Sequence, residues 1–213
     1  MEKMSAFFAA RVEGYDDHML TNVEGCKEAY LAMAQLIPDS CQSLLDLGCG
    51  TGLELDAIFQ RLPNVSVVGI DLTSAMLEKL RAKHPDKDIH LICGSYFSEP
   101  LGIAAYDCAV SFQTMHHFSH EMKAALYAKV FRALKPGGMY IECDYMVEDQ
   151  ALEDFYYAEN RRIRSELGLS ESEFYHYDTP CTIDHQISML QSAGFAHVQR
   201  AFRLENTTIL AAQ

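Results

Sequence analysis

The sequence predicts an α/β fold: a doubly wound, mostly parallel sheet with helices on both faces. Three observations carry that reading. Segments of strand character alternate with segments of helical period along most of the 213 residues. A glycine-rich turn, LLDLGCGTG at residues 44–52, joins the first strand to the next helix. Residues 105–112, AYDCAVSF, are almost continuously apolar, as a strand covered on both faces must be. Strand and helix in alternation, joined by short loops, build a parallel sheet.

Taken in order, residues 1–25 mix aromatic and charged side chains and read as an N-terminal helical segment. Residues 26–37 place Ala29, Tyr30, Met33, Ala34 and Ile37 on one helical face, and Pro38-Asp39 ends that helix. A strand at 43–47 leads into the glycine turn and a helix at 53–61. Pro63-Asn64 then turns the chain into a strand at 65–70 that ends beside Asp71. A helix from about 74 to 84 and a strand at 89–93 follow, then Gly94-Ser95-Tyr96. The strand at 105–112 runs into SFQTMHHF, and the helix at 121–134 is stopped by LKPGG before a strand at 139–143. A helix at 149–167 precedes EFYHYDTP, residues 173–180. A helix at 183–193 closes on Gly194, and strands at 195–204 and 207–212 flank Glu205-Asn206. No repeat or long linker divides the chain, so 1–213 reads as one domain, with 145–180 as an insertion.

Composition narrows the function. A net charge of −13 argues against a surface that tracks phosphates, so nucleic acid is an unexpected partner. The seven cysteines form no C-x-x-C pair and mostly sit in apolar runs, which predicts neither a zinc site nor a disulfide framework. There is no signal-peptide pattern and no apolar run of membrane-spanning length. The expectation is a soluble, reduced, cytoplasmic protein without metal. Its oligomeric state, monomer or homodimer, is not legible.

The glycine turn carries the chemistry. Glycine admits positive φ and lets a ligand approach the backbone, and the helix start offers free N–H groups. A dinucleotide fingerprint reads G-x-G-x-x-G. Here the spacing is G-x-G-x-G, with Asp46 two residues before Gly48. A carboxylate in that place suits a cation and repels a pyrophosphate. The stretch resembles the cofactor loop of the class I, Rossmann-like S-adenosylmethionine (SAM)-dependent methyltransferases of small-molecule type. The resemblance runs from about residue 26 to the C-terminus, is specific in the first half and loose after residue 145. It implies a seven-stranded sheet ending in an antiparallel hairpin.

It also implies site roles. Asp46, Gly48, Cys49, Gly50 and Gly52 would hold the methionine end of SAM. Asp71 would meet the ribose hydroxyls, and Leu72 and Met76 would flank the adenine. Gly94, Ser95 and Tyr96 follow the third strand where many relatives place an aspartate; Ser95 departs from that pattern. Gln113 would contact the methionine moiety. Residues 1–25 would form a lid bringing Tyr15 and His18 to the ligands. Tyr145, Tyr175 and Tyr177, with Phe174, would wall a small-molecule pocket. Proton transfer would fall to His116, His117, His176 or Asp144, since imidazole titrates near neutral pH. The expected reaction is in-line displacement of the SAM methyl group by an O, N, S or C nucleophile. Two rivals share the cofactor: an enzyme that modifies a SAM derivative, and a non-catalytic SAM-binding regulator. A nicotinamide-dependent oxidoreductase is disfavoured by the glycine spacing.

Overall fold

The structure is a computed structural model and describes residues 1–170 and 173–213. Its elements are α1 (Met4–Ala9), α2 (Val12–Thr21), α3 (Cys26–Leu36), β1 (Ser43–Leu47), α4 (Leu53–Arg61), β2 (Ser66–Asp71), α5 (Ser74–Lys83) and β3 (Ile89–Cys93). They continue with β4 (Tyr106–Phe112), α6 (His120–Ala133), β5 (Leu134–Val147), α7 (Gln150–Glu166), β6 (Cys181–Thr182), α8 (Ile183–Ser192), β7 (Val198–Leu204) and β8 (Thr207–Ala212). The sheet runs β3-β2-β1-β4-β5-β8-β7, with short β6 paired to β5 off that path. The first five strands pair in parallel, and β8 and β7 return antiparallel. The doubly wound sheet and reversed terminal hairpin expected from the sequence are therefore present.

Two apolar layers explain why this sheet forms. Successive residues of a strand point to opposite faces. Leu44 accordingly joins the layer holding Tyr30, Met33, Leu55 and Ile58, whereas Leu45 and Leu47 join the layer holding Leu126, Tyr127, Val130 and Leu190. Both layers are closed to solvent, so β1 and β4 are apolar on each face. The strand order reverses between β1 and β4, and ligands in open α/β sheets bind off the carboxyl ends at such a switch point. Leu47 leads into the glycine turn there, and Phe112 leads into Gln113.

Two differences from the expected elements have tertiary causes. β5 runs to Val147 because Asp144 and Tyr145 pair with β8, and Met146 and Val147 pair with β6. Those partners arrive more than 30 residues later. The N-terminal segment is two helices broken at Ala10-Arg11. It is pinned to the insertion by Met4 N–H to Phe174 O at 3.0 Å and His176 N–H to Glu2 O at 3.0 Å. Among the described residues no helix is long and apolar enough to cross a membrane.

Candidate active site

The turn after β1 is built around positive φ. Gly48, Gly50 and Gly52 lie at φ +75°, +48° and +74°. A Cβ on Gly48 would come within 2.7 Å of Thr114 Oγ1, and one on Gly52 within 2.9 Å of Leu80. Gly50 differs: the nearest atom to its Cβ position is a carbonyl 3.9 Å away, so this backbone faces open space. Its N–H donates to Asp71 Oδ2 at 3.0 Å, while Thr73 N–H donates to Oδ1 at 2.8 Å. Asp71 thus ties the ends of β1 and β2 together and keeps lone pairs on both oxygens for further donors. It does not cap α5, whose first-turn boundary residue is Thr73.

Asp46 is fully buried near the end of β1, and its carboxyl oxygens have no partner beyond the neighbouring Glu54 carboxyl. Glu54, in the first turn of α4, is 4 % exposed, and its Oε1 is likewise unpartnered. Burial, then the Glu54 charge, holds Asp46 well above the usual carboxylate range. Burial also pushes Glu54 up to about 7. Lys83 acts on Glu54 and the two carboxyls can share a proton, but a second ionisation of this buried pair is costly unless a cationic ligand meets it. An orphaned acid pair beside an open glycine backbone fits a cationic group such as the ammonium of SAM.

The second half of the site is a histidine corner. Thr114 leads into one 3-10 turn, Met115–His117. His116 Nδ1 lies 2.5 Å from Asp144 Oδ1, with both side chains buried. Burial alone would lower the His116 pKa, but the Asp144 carboxylate outweighs it and leaves the imidazole above its ordinary value. His117 is the opposite case: burial and then the neighbouring His116 and His176 hold it well below that value. Asp178 Oδ1 faces all three rings, 3.6 Å from His116 Nε2, 3.4 Å from His117 Nδ1 and 3.9 Å from His176 Nε2, without an aligned hydrogen bond. His116, His117 and Asp178 are close enough to share an ion.

A cavity of about 980 Å³ opens in front of this corner. Its walls include Phe7, Phe8, Arg11, Tyr15 and His18 from the N-terminal helices, and Gln113, Tyr145 and Thr207 from the sheet end. The glycine turn is not one of its walls, because α2 covers the turn. Asp16 Oδ1 accepts from Thr51 Oγ1 at 2.5 Å, and its Oδ2 lies 3.4 Å from Lys79 Nζ and 3.7 Å from Lys83 Nζ. Tyr15 is within electrostatic reach of Glu54 and Asp71. His176 stacks on Phe7 with ring centroids 3.6 Å apart, which holds α1 against residues 173–178.

Several expected roles find different placements. The Cys49 side chain packs beneath β2, where a Cβ on Gly69 would meet its Sγ at 2.9 Å, so only its backbone belongs to the turn. Met76 is buried in α5, and Leu72 packs partly buried against the apolar layer of α6 and α8. Gly94 is backed by Glu99, and Ser95 Oγ accepts from Phe97 N–H at 3.3 Å, capping a local turn. Tyr96 is buried, its hydroxyl 2.9 Å from Thr114 Oγ1. Gln113 adopts φ +50° and reaches Thr207 Oγ1 at 3.4 Å.

Tyr175 and Tyr177 do not line the cavity. Tyr175 donates to Glu173 at 2.7 Å under the Arg164 guanidinium, and Tyr177 turns its carbonyl toward His117. Neighbouring residues alternate sides in this extended segment, so His176 and Asp178 take the inner side. The residues that sequence reasoning missed are Asp16, Glu54, Thr114 and Asp178. Glu54 alone carried a signal, as an acid on the apolar face of a helix.

Comparison with known proteins agrees with this geometry. Residues 44–138 match a family model described as a methyltransferase domain. A carboxy-S-adenosyl-L-methionine synthase from Shewanella woodyi is 27 % identical over 96 % of this chain and 91 % of its own length. A 24-methylenesterol C-methyltransferase from Oryza sativa is 33 % identical, but the match covers 48 % of this chain and 29 % of that protein. Among solved structures, an O-methyltransferase family protein from Burkholderia thailandensis superposes with a TM-score of 0.71 at 16 % identity, over 99 % of this chain and 62 % of that one. Human N-acetylserotonin methyltransferase in complex with SAM superposes at 0.70 and 14 % identity, over 98 % and 56 %. Sheet order, glycine turn and sequence match agree: residues 44–138 match a methyltransferase domain, and the whole fold is similar to that of SAM-dependent methyltransferases.

Proposed function

We propose that the protein transfers the methyl group of SAM to a nucleophilic atom of a small molecule held in the cavity under α1 and α2. The observation that carries the cofactor half is the buried Asp46–Glu54 pair beside the open Gly50 backbone. Asp46 and Glu54 would receive the ammonium, and the lone pairs left on Asp71 would receive ribose hydroxyls. SAM, when bound, supplies an electrophilic methyl group on a sulfonium. The chain's task is then to position a nucleophile and take its proton. His116 is the best-placed base, because Asp144 fixes its Nδ1 and leaves Nε2 toward the cavity side with Asp178. The aromatic residues of α1 and α2, Tyr145 and the wall acids Glu24, Asp178 and Glu205 favour an acceptor that is aromatic or cationic. Arg11 in the cavity wall is the one opposing charge there among the described residues.

A second reading keeps the cofactor and changes the chemistry: modification of SAM itself. Matches to carboxy-SAM synthases span nearly the whole of both chains, whereas the sterol methyltransferase match spans under a third of that protein. Calorimetry with SAM, S-adenosylhomocysteine and NADH on wild type and Asp71→Ala tests the cofactor. Micromolar binding of both SAM-type ligands, lost in the variant and absent for NADH, supports it; no binding of either overturns it. Mass spectrometry of reactions with small carboxylates then separates the two chemistries. Consumption of SAM to S-adenosylhomocysteine with a methylated acceptor supports transfer, and a heavier SAM derivative supports modification.

A further inference from the structure

On the far side of the histidine corner lies a cluster that the proposed reaction does not use. His120 at the start of α6, Glu153 in α7, Cys181 in β6 and His185 in the first turn of α8 each offer one ligand atom. These four atoms all lie within 4.8 Å of one another. His185 Nδ1 is 2.5 Å and His120 Nε2 2.9 Å from the same oxygen, Glu153 Oε1. The His120 contact is not an aligned hydrogen bond, and that buried nitrogen has no partner. The two imidazole rings sit 4.3 Å apart, tilted by 44°. Two imidazole nitrogens, a carboxylate oxygen and a sulfur therefore converge on one small volume.

We propose that His120, Glu153, Cys181 and His185 form a four-coordinate zinc site. The donor set is the argument. A thiolate with two imidazoles and a carboxylate suits a borderline-soft divalent ion and is wrong for magnesium or calcium, which take oxygen ligands. Zinc bonds of about 2.0–2.3 Å give ligand-to-ligand edges of about 3.3–3.8 Å, so side-chain shifts of about 1 Å close the site. Glu153 and Cys181 are buried, and each histidine side chain is about a third exposed, which leaves the ion a path in. Thiolate and carboxylate together offset the two charges of the ion. Lys123, buried with Nζ 3.1 Å from Cys181 Sγ, donates to the thiolate from outside, and the Tyr157 hydroxyl packs 3.2 Å from the same sulfur. Such outer partners tune a metal site.

Four protein ligands leave no open position, so the site is structural. Its ligands come from four elements and staple the insertion to the body of the sheet. Tyr157 also donates to Phe118 O at 3.0 Å, and Thr179 to His116 O at 2.9 Å, so the staple braces the turn that carries His116 and His117. No sequence spacing announces it, because each ligand is contributed by a different element. This inference does not rest on the methyl-transfer reading.

The test uses the full chain stripped with a chelator, then titrated with zinc against a chromophoric competitor and separately with cobalt(II). The expected result is stoichiometric zinc and a tetrahedral cobalt spectrum with a near-ultraviolet thiolate-to-cobalt band. Cys181→Ser should abolish that band. His185→Ala should weaken zinc by more than the roughly 10–100-fold that loss of an outer partner costs. His117→Ala should leave both unchanged. Wild-type protein that takes up no zinc in competition overturns the proposal, and needs no variant to fold. So does a band that survives in Cys181→Ser, or zinc binding that is lost in His117→Ala, which would move the ion to the His116–His117–Asp178 cluster.

Discussion

Replacing Glu54 by glutamine should make the ligand-free protein more stable and its cofactor binding worse. Glu54 is buried beside a second buried acid, Asp46, and burial pushes its pKa from 4.5 up to about 7. The folded state therefore holds a proton that the unfolded state has released. That contribution is fully present below pH 4.5 and is lost as pH rises through about 7. The interval, at about 1.36 kcal/mol per pH unit, corresponds to on the order of 3 kcal/mol. Above pH 7 the wild-type fold carries the cost of an ionised, desolvated acid that the Lys83 charge offsets only in part. Glutamine keeps the shape and removes the ionisation.

In thermal unfolding without ligand at pH 8, Glu54→Gln should gain on the order of 3 kcal/mol, or roughly 6–12 °C for a chain of this length. At pH 5 the two proteins should differ little. Calorimetry with SAM should show the reverse preference, with affinity down by at least about 30-fold, since a buried charged partner has been removed. A variant less stable than wild type at pH 8, or one that binds SAM equally well, would refute the assignment of this pair as a cation receptor.

Four further outcomes follow from the same geometry. His116→Asn should lower kcat by roughly 10²–10⁴-fold with little change in KM for SAM, the range expected for loss of a general base. In the wild type, activity should rise with pH through a midpoint above 6.5, because Asp144 holds the His116 proton; Asp144→Asn should move that midpoint down. Gly48→Ala combines φ +75° with a Cβ 2.7 Å from Thr114 Oγ1, and should cost about 1–3 kcal/mol in denaturant unfolding. Removing the obstacle with Thr114→Ala should recover only the steric part. Asp16→Ala removes the side-chain ties of Thr51 and Lys83 to α2 and leaves Lys79 only its bond to Val12 O, so stopped-flow release of SAM should quicken severalfold while stability changes by less than about 1 kcal/mol.

Much of this was legible in the sequence because the signals are local. The spacing Asp46-x-Gly-x-Gly-x-Gly depends on a turn of a few residues, and Asp71 on the end of the next strand. Alternating Leu44 and Leu45 mark two covered faces without reference to anything distant. The rest required partners far along the chain. Asp178 matters because the insertion returns under the turn at 115–117, and nothing near residue 178 announces that. Tyr175 and Tyr177 read as pocket walls by composition, but the backbone pairing of Lys3 with Tyr175 sets which neighbours face inward. A pattern of aromatic residues specifies that a segment packs, and only its pairing specifies which side chains do so.

The acid pair also bears on turnover. Asp46 and Glu54 attract a cation more strongly as Glu54 loses its proton, so cofactor affinity should increase between about pH 6 and pH 8, while ligand-free stability falls over the same interval. Methyl transfer discharges the sulfonium, so one positive charge near the pair is gone from the product. If the pair receives the cofactor as proposed, the buried acids should hold S-adenosylhomocysteine less tightly than SAM, by an electrostatic margin that vanishes when Glu54 cannot ionise. The ratio of the two affinities, measured across that pH range in wild type and Glu54→Gln, isolates this effect from shape and hydrogen bonding, which the two ligands largely share. A ratio that grows with pH in the wild type and stays flat in the variant would tie the orphaned acids of the ligand-free fold to product release. A flat ratio in both would confine the pair to the ammonium end of the ligand and leave release to the opening of α2.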